Sequence, residues 1–377
     1  MAGIYIHIPF CKTRCVYCDF YKETDESKIN DFVSAICTES QLRKNEIPEP
    51  VKTIYFGGGT PSRLNNRHFE QIFDVIFSLF SIEKNAEITL EANPDDLSGE
   101  YLQLLAGLPF NRISIGIQSF DDSELKFLSR RHSSQQAIDA VKRCQQAGFN
   151  NISIDLMYGL PHQTLEIWKK NLQKACELNI QHISAYHLIY EPKTKLYSLL
   201  QKGRVQPVSD ETSTEMFSTL IDTLAENGFE HYEISNFARN GLYSQHNTSY
   251  WKNEKSLGLG PSAHSYDGEN RSWNIASLNK YIQSVQSGKL LQETEHLTLS
   301  QKYNEFILTG LRTMWGVNLQ QLKTNFGEKY HDYCIKNAKK HVITGNLIII
   351  DNSLILTTRG IFISDGIMSE LMWVEKD

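Results

Sequence analysis

The chain has 377 residues, a formal net charge of -6, 40% hydrophobic residues and seven cysteines. It is long enough for one large domain and a smaller one, each with its own core. The mild negative charge and the lack of any Lys/Arg block argue against nucleic acid as a partner. No apolar run nears the roughly 20 residues of a membrane span, and Met1 to Ile8 lacks the features of a signal peptide. A cytoplasmic protein is expected, with any membrane contact made at the periphery through a partner.

Six short β-rich runs alternate with five amphipathic stretches through the first half. The runs are Ile4 to Ile8, Thr53 to Phe56, Glu87 to Ala92, Arg112 to Gln118, Asn151 to Met157 and His182 to Ile189. The helical stretches are Glu26 to Lys44, Arg67 to Phe80, Gly99 to Ala106, Ser134 to Gly148 and Leu165 to Leu178, with apolar residues three and four apart and Gly148 at a helix stop. This alternation predicts an α/β fold with a parallel sheet, specifically a partial (β/α)6 TIM-like barrel over residues 1–200. In such a fold the chemistry gathers at the C-terminal strand ends. There stand the cysteines after the first run, the glycines after the second, and then Glu91, Gln118 and Asp155.

Gln201 to Ser209, with Gly203 and Pro207, reads as a linker, followed by a helix from about Asp210 to Asn227 and a region rich in aromatics and glycine from Phe229 to Trp273. Residues 201–295 are read as an extension of the barrel. Residues 296–377 are read as a smaller helical domain of winged type: Gln301 to Met314, Leu319 to Phe326 and Tyr330 to Lys340 precede two short strands parted by Asp351-Asn352-Ser353.

Cys11, Cys15 and Cys18 have C-x3-C-x2-C spacing. Three thiolates on a short loop can hold three irons of a 4Fe-4S cluster and leave the fourth open to another ligand. The same spacing would also place three small hydrophobes on one helix face, although Pro9 argues against a helix there. A structural zinc site wants a fourth ligand, and none stands at a matching offset. A disulfide does not suit a reducing compartment. Cys37, Cys144, Cys176 and Cys334 are read as packing residues.

Ile4-Tyr-Ile-His-Ile-Pro-Phe-Cys11, the cysteine triad and Gly57-Gly-Gly-Thr-Pro61 together resemble the radical S-adenosylmethionine (SAM) superfamily, in the branch that contains oxygen-independent coproporphyrinogen III oxidase. The resemblance extends over nearly the whole chain. It implies that SAM chelates the open iron through its amino and carboxylate groups, and that one electron from the cluster releases a 5'-deoxyadenosyl radical. It also implies SAM contacts by Tyr5, Tyr17, Gly58, Gly59, Thr60, Glu91, Gln118, Arg130 and Asp155. The glycines would equally serve a tight βα turn, Glu91, Gln118 and Asp155 an internal polar network, and Arg130 with Arg131 a solvated basic pair.

Two departures separate the chain from the oxidase. The oxidase carries a further cysteine two residues after the third, where this chain has Phe20, and a sizeable extension before the cluster loop, where this chain has its first cysteine at residue 11. Both match HemW-type haem chaperones, as does His246-Asn-Thr-Ser-Tyr-Trp251, similar to an H-N-x-x-Y-W motif of that group. Haem is then the cargo, with His246, Tyr250 and Trp251 as candidate contacts, since imidazole ligates haem iron and the aromatics offer apolar surface. A polar turn with a hydrogen-bonded, metal-free His246 would carry the same residues. His264, in the turn-rich loop from Gly258, does not by itself establish a site.

The expected function is haem binding and transfer to an apo-haemoprotein, with the alternative of radical decarboxylation of coproporphyrinogen III. A reduced electron-donor protein is implied if the cluster is redox-active, and a dimer is compatible with the resemblance.

Overall fold

The computed structural model describes residues 2–375. In chain order the first half comprises β1 (Ala2–Ile8), α1 (Ile29–Leu42), β2 (Val51–Gly58), α2 (Asn66–Leu79), β3 (Ile82–Ala92), α3 (Gly99–Leu105) and β4 (Arg112–Gln118). It continues with α4 (Asp122–Phe127), α5 (Ser134–Gln146), β5 (Ile152–Tyr158), α6 (Leu165–Glu177) and β6 (His182–His187). All six expected strands are present and pair in parallel, in register Ile4↔Ile54 and Ile6↔Phe56 across the first pair. The strands alternate: Ile4, Ile6 and Ile8, like Ile113, Ile115 and Ile117, give one apolar face to the core shared with the helices, while the polar His7, Arg112 and Ser114 are buried on the other face. Helix starts are set by side-chain caps, including capping boxes at Asn65 with His68 and at Ser133 with Gln136, and Gly148 ends α5 at a φ of 93°.

The next segment comprises α7 (Lys195–Gln201), α8 (Asp210–Glu226), β7 (Glu230–Glu233), β8 (Asn236–Ala238), α9 (Gln245–Trp251), β9 (Lys255–Leu259), β10 (His264–Tyr266), β11 (Asn270–Asn274), α10 (Leu278–Gln286) and β12 (Gln292–His296). Strand β9 lies parallel to β1, pairing Ile4↔Leu257 and Ile6↔Leu259, and extends the sheet on the edge opposite β6. The full order is β12-β11-β10-β9-β1-β2-β3-β4-β5-β6-β8-β7, with antiparallel strands at both margins. Among the described residues the two edge strands do not pair, so the mostly parallel sheet stays open rather than closing into a full barrel. Residues of this segment, including Leu220, Phe237, Leu257 and Tyr281, join the core of the sheet.

A buried ion pair joins the extension to the first helix. Glu39 accepts from Arg43 at 3.1 Å, from the Gly260 N–H at 2.8 Å, from Asn274 at 2.7 Å and from the Tyr281 hydroxyl at 2.6 Å. Arg43 in turn donates to the Gly258 carbonyl at 2.7 Å and to Ser265 at 2.9 Å. Two charges hidden from water need such complete partnership. The loop between β9 and β10 is fixed by this pair.

The C-terminal part comprises α11 (Leu299–Leu311), β13 (Val317–Asn318), α12 (Leu319–Phe326), α13 (Glu328–Ile343), β14 (Leu347–Ile350), β15 (Ser353–Leu356), α14 (Thr358–Ile361) and α15 (Ser364–Leu371). It builds its own core around Tyr303, Ile307, Leu322, Leu354 and Leu371. Asp351 and Asn352 both take positive φ, 46° and 63°, and close the β14–β15 hairpin where the sequence places a turn. No described helix is long and apolar enough to cross a membrane.

Candidate functional site at the strand ends

The segment from Cys11 to Cys18 is a loop and not a helix, so the three cysteines do not share a helix face. Its ends are tied by the Cys11 N–H donating to the Glu23 carbonyl at 2.9 Å and the Glu23 N–H to the Pro9 carbonyl at 2.7 Å. Its middle is held where the Leu196 N–H meets the Val16 carbonyl at 2.9 Å. All seven cysteines are unbridged. Burial pushes the Cys11 thiol up, countered by the Thr60 hydroxyl, which donates to its sulfur at 3.4 Å, and by nearby Lys22. Among the described residues no three His, Cys, Asp or Glu side chains gather about a single point as one metal ion would require. In an iron-sulfur cube each thiolate takes its own iron, so the sulfurs stand apart.

The three cysteines line one cavity of about 500 Å³ together with Tyr17, Gly58, Gly59, Thr60, Glu91, Gln118, Arg130 and Asp155. Strand ends bring them together from β2 to β5, although they are scattered over more than a hundred residues. Glu91 is held by the Tyr55 hydroxyl at 2.6 Å and the Gly58 N–H at 3.1 Å. Burial lifts its carboxyl to about 7 against those hydrogen bonds, with the charge of Asp155 adding to the rise. Asp155 is lifted to about 6, again by burial, against the pull of Arg112. Gln118 has a φ of 72° at a register shift in β4, a left-handed conformation unusual for this residue and of the sort that collects at ligand sites.

Arg130 and Arg131 separate cleanly. Arg131 pairs with Asp95 at 2.9 Å, whereas Arg130 turns inward, donating to the Cys15 sulfur at 3.5 Å, to Asn93 at 2.5 Å and to the Gly116 carbonyl. The Nε of Arg130 is buried with no partner. A buried guanidinium with an unused donor, lining one cavity with two carboxylates that ionise with difficulty, suits a ligand carrying both a carboxylate and a cationic group. The residues present therefore fit a cluster with SAM beside it.

At two of the expected positions the structure adds detail. The glycines are needed by the chain itself: a Cβ on Gly59 would stand 2.8 Å from the Ile8 carbonyl oxygen, and one on Gly57 would meet the Tyr55 ring at 2.8 Å. Close approach to Ile8, Pro9 and Phe10 at the root of the cysteine loop accounts for Gly59, and the rings of Tyr55 and His7 crowd Gly57 and Gly58, before any ligand is considered. Tyr5 does not line the cysteine cavity. Its hydroxyl is 3.1 Å from His7 Nδ1 and it lines a neighbouring cavity of about 560 Å³.

That second cavity also receives Tyr250 and Trp251, but not His246. His246 is 1% exposed, its Nδ1 lying 2.8 Å from the Thr53 hydroxyl and its Nε2 2.8 Å from the Tyr250 hydroxyl. Its ring stacks on Tyr55 at 4.9 Å, and burial with the charge of Arg112 holds it down at about 3. Both nitrogens are engaged, so in this structure His246 has none to offer an iron.

Several residues that shape the site carry no clear sequence signal. Asn93 bridges Arg130 and the Thr60 hydroxyl, the latter at 3.2 Å. Phe20 lines both cavities with 64% of its surface exposed, and its only mark in the sequence is its place two residues after Cys18. His264 lines the second cavity with its ring stacked on Trp273 at 5.7 Å.

Comparison with known proteins accords with this arrangement. Residues 5–175 match the model of the radical SAM superfamily, and residues 297–363 match that of the HemN C-terminal domain. The chain is 38% identical over 335 residues to the haem chaperone HemW of Bacillus subtilis, spanning 88% of this chain and 87% of that one. It is 38% identical over 323 residues to the haem chaperone HemW of Lactococcus lactis, spanning 85% and 84%. Coproporphyrinogen III oxidase (HemN) from Escherichia coli, a radical SAM enzyme, has the same fold with a TM-score of 0.83, 21% identity and coverage of 98% of this chain and 90% of its own. Sequence identity over most of both chains, on a sheet with its cysteine loop at the strand ends, shows that this chain belongs to the radical SAM superfamily and, within it, to the family of HemW-type proteins.

Proposed function

We propose that the protein binds haem and delivers it to an apo-haemoprotein, and that Cys11, Cys15 and Cys18 hold a 4Fe-4S cluster with SAM at its open iron. The observation that carries this reading is the adjacency of two cavities: one walled by the cysteines and the polar strand ends, the other large and apolar and walled by Tyr250 and Trp251, with Phe20 in both. The relatives named haem chaperones support it at 38% identity. Bound, the cluster and SAM supply one-electron chemistry at a methionine-derived sulfonium. Within the chain, Arg130 would take the SAM carboxylate, and Glu91, Gln118 and Asp155 would face the polar and cationic parts, with Tyr17, Gly58, Gly59 and Thr60 closing round them. Tyr5 would act from behind Gly57. The implied partners are haem, its acceptor and, for a redox-active cluster, a reduced electron-donor protein.

The test is anaerobic reconstitution of the cluster followed by parallel assays with haem and with coproporphyrinogen III. Stoichiometric haem binding with transfer to an apo-cytochrome, and no carbon dioxide release, is the expected result. Sustained, SAM-consuming decarboxylation of coproporphyrinogen would instead assign the oxidase activity.

A further inference from the structure

We propose that His264, and not His246, is the axial ligand through which this chain holds haem iron, in the cavity walled by Tyr250, Trp251, Tyr266, Leu308 and Phe20. The inference rests on the haem-binding reading above and assigns its ligand. Axial ligation needs an imidazole nitrogen with a free lone pair, on a wall of a space that accepts a flat apolar macrocycle. The cavity measures about 560 Å³, within the usual range of small-molecule sites, about 300–1,000 Å³.

Two histidines line it, His7 and His264. His7 is committed at both nitrogens, to Tyr5 at 3.1 Å and to the Tyr21 carbonyl at 3.1 Å. His264 makes no side-chain hydrogen bond among the described residues, and its ring is oriented by the stack on Trp273. Partial shielding by the cavity wall first, and then the charge of Arg271, hold its pKa below the ordinary imidazole value, so that the neutral, ligating form prevails near pH 7. The four tyrosine hydroxyls on the walls are occupied: Tyr5 by His7, Tyr21 by Glu23 at 2.7 Å, Tyr250 by His246, and Tyr266 by the Gly268 carbonyl at 3.1 Å.

The backbone carrying His264 is built for rigidity. Gly258 packs so closely under it that a Cβ there would lie 2.2 Å from the His264 carbonyl oxygen. The neighbouring Ser265 hydroxyl accepts from Arg43 and from the Gly258 N–H, each at 2.9 Å. A ligand on so fixed a segment loses little freedom when iron binds. Arg271 lines the same cavity and pairs with Glu305 at 2.9 Å, an exchangeable partner for a porphyrin carboxylate. In this arrangement His246 is a positioning residue that fixes the Tyr250 wall.

The experiment is titration of the full chain, with its cluster rebuilt, by ferric protoporphyrin IX, read by the Soret band and by electron paramagnetic resonance. Wild type, His264→Ala, His264→Met and His246→Asn are compared, with circular dichroism as a check on folding. The expected result is a histidine-ligated spectrum in wild type and His246→Asn. In His264→Ala that spectrum is lost, affinity falls by on the order of tenfold or more, and added imidazole restores the band. His264→Met should shift the spectrum to that of a changed ligand. If wild type binds haem and His264→Ala binds it with the same spectrum and affinity, the ligand assignment is overturned while the haem reading stands. If wild type itself takes up no haem, the haem reading fails, and the assignment with it.

Discussion

The Nε2 of His246 lies 2.8 Å from the hydroxyl of Tyr250, one helical turn away on α9, and its Nδ1 is 2.8 Å from Thr53 on β2. This chain of buried hydrogen bonds docks α9 onto the sheet and sets Tyr250 at the edge of the second cavity. Removing one member leaves a buried polar atom unpaired, which costs about 1–3 kcal/mol. His246→Ala is therefore expected to lower stability by that amount or somewhat more, through lost packing, and Tyr250→Phe by about 1 kcal/mol. Denaturant unfolding of both variants checks this. A His246→Ala variant as stable as wild type would show that the relay is not structural.

Cys11, Cys15 and Cys18 are expected to be indispensable for iron and the other cysteines dispensable. After anaerobic reconstitution, each Cys→Ser change at the three loop positions should abolish most bound iron and sulfide. Cys37→Ser, Cys144→Ser and Cys334→Ser, which lie buried in helices α1, α5 and α13, should retain it. Iron and sulfide assays on the variants decide the matter.

Glu91 makes affinity for a cationic ligand depend on pH. It faces Tyr55 from β2, Asp155 from β5 and Arg112 from β4, and its carboxyl is raised to about 7, chiefly by burial. A folded-state pKa above the unfolded one stabilises the ligand-free fold fully below about pH 4, and that contribution is lost as pH rises through about 7. A cationic ligand favours the ionised form, so SAM affinity should climb from pH 6 to pH 7.5 and then flatten. Glu91→Gln should weaken binding and reduce that slope, leaving the part due to Asp155. Calorimetric titration with SAM across this range is the measurement, and a slope unchanged in Glu91→Gln would remove Glu91 from the account.

The Glu39–Arg43 pair ties α1 to the loop between β9 and β10. Glu39 is 0% and Arg43 1% exposed. Breaking a buried pair from one side costs about 3–5 kcal/mol. Glu39→Ala leaves Arg43 paired with Glu46 at 2.7 Å but takes an acceptor from Gly260, Asn274 and Tyr281. It should therefore lose about 3 kcal/mol, the lower end of that range, in equilibrium unfolding and loosen the segment from Gly258 to Ser265, seen as faster amide hydrogen exchange there. Unchanged exchange in that loop would show that other contacts hold it.

Much of this protein is legible in its residues alone. Six β-rich runs with helical periodicity between them define the parallel sheet, because each run offers the crossing helices one continuous apolar face, as Ile4, Ile6 and Ile8 do. C-x3-C-x2-C after the first run marks the cysteine loop, since thiols at that density on a loop have few structural uses. Glu91, Gln118 and Asp155 stand out as polar groups at or near the C-terminal ends of their strands, where a parallel α/β fold collects its chemistry.

The rest depends on contacts between residues far apart in the chain. Strand β9 pairs with β1 from the far side of the sheet-forming half, and only two alternating leucines, Leu257 and Leu259, announce it. The Glu39–Arg43 pair looks in sequence like an ordinary exposed helix pair, and only the covering strands bury it. Arg130 and Arg131 are equivalent as neighbours in sequence; tertiary packing sends one toward Cys15 and the other to Asp95. The same holds for the two histidines at issue. His246 sits in the more conspicuous motif, yet the sheet closes over it and occupies both of its nitrogens, while His264 is left with its ring facing open space. Local sequence sets which groups a segment carries; whether a group is paired, buried or free is decided by what folds against it.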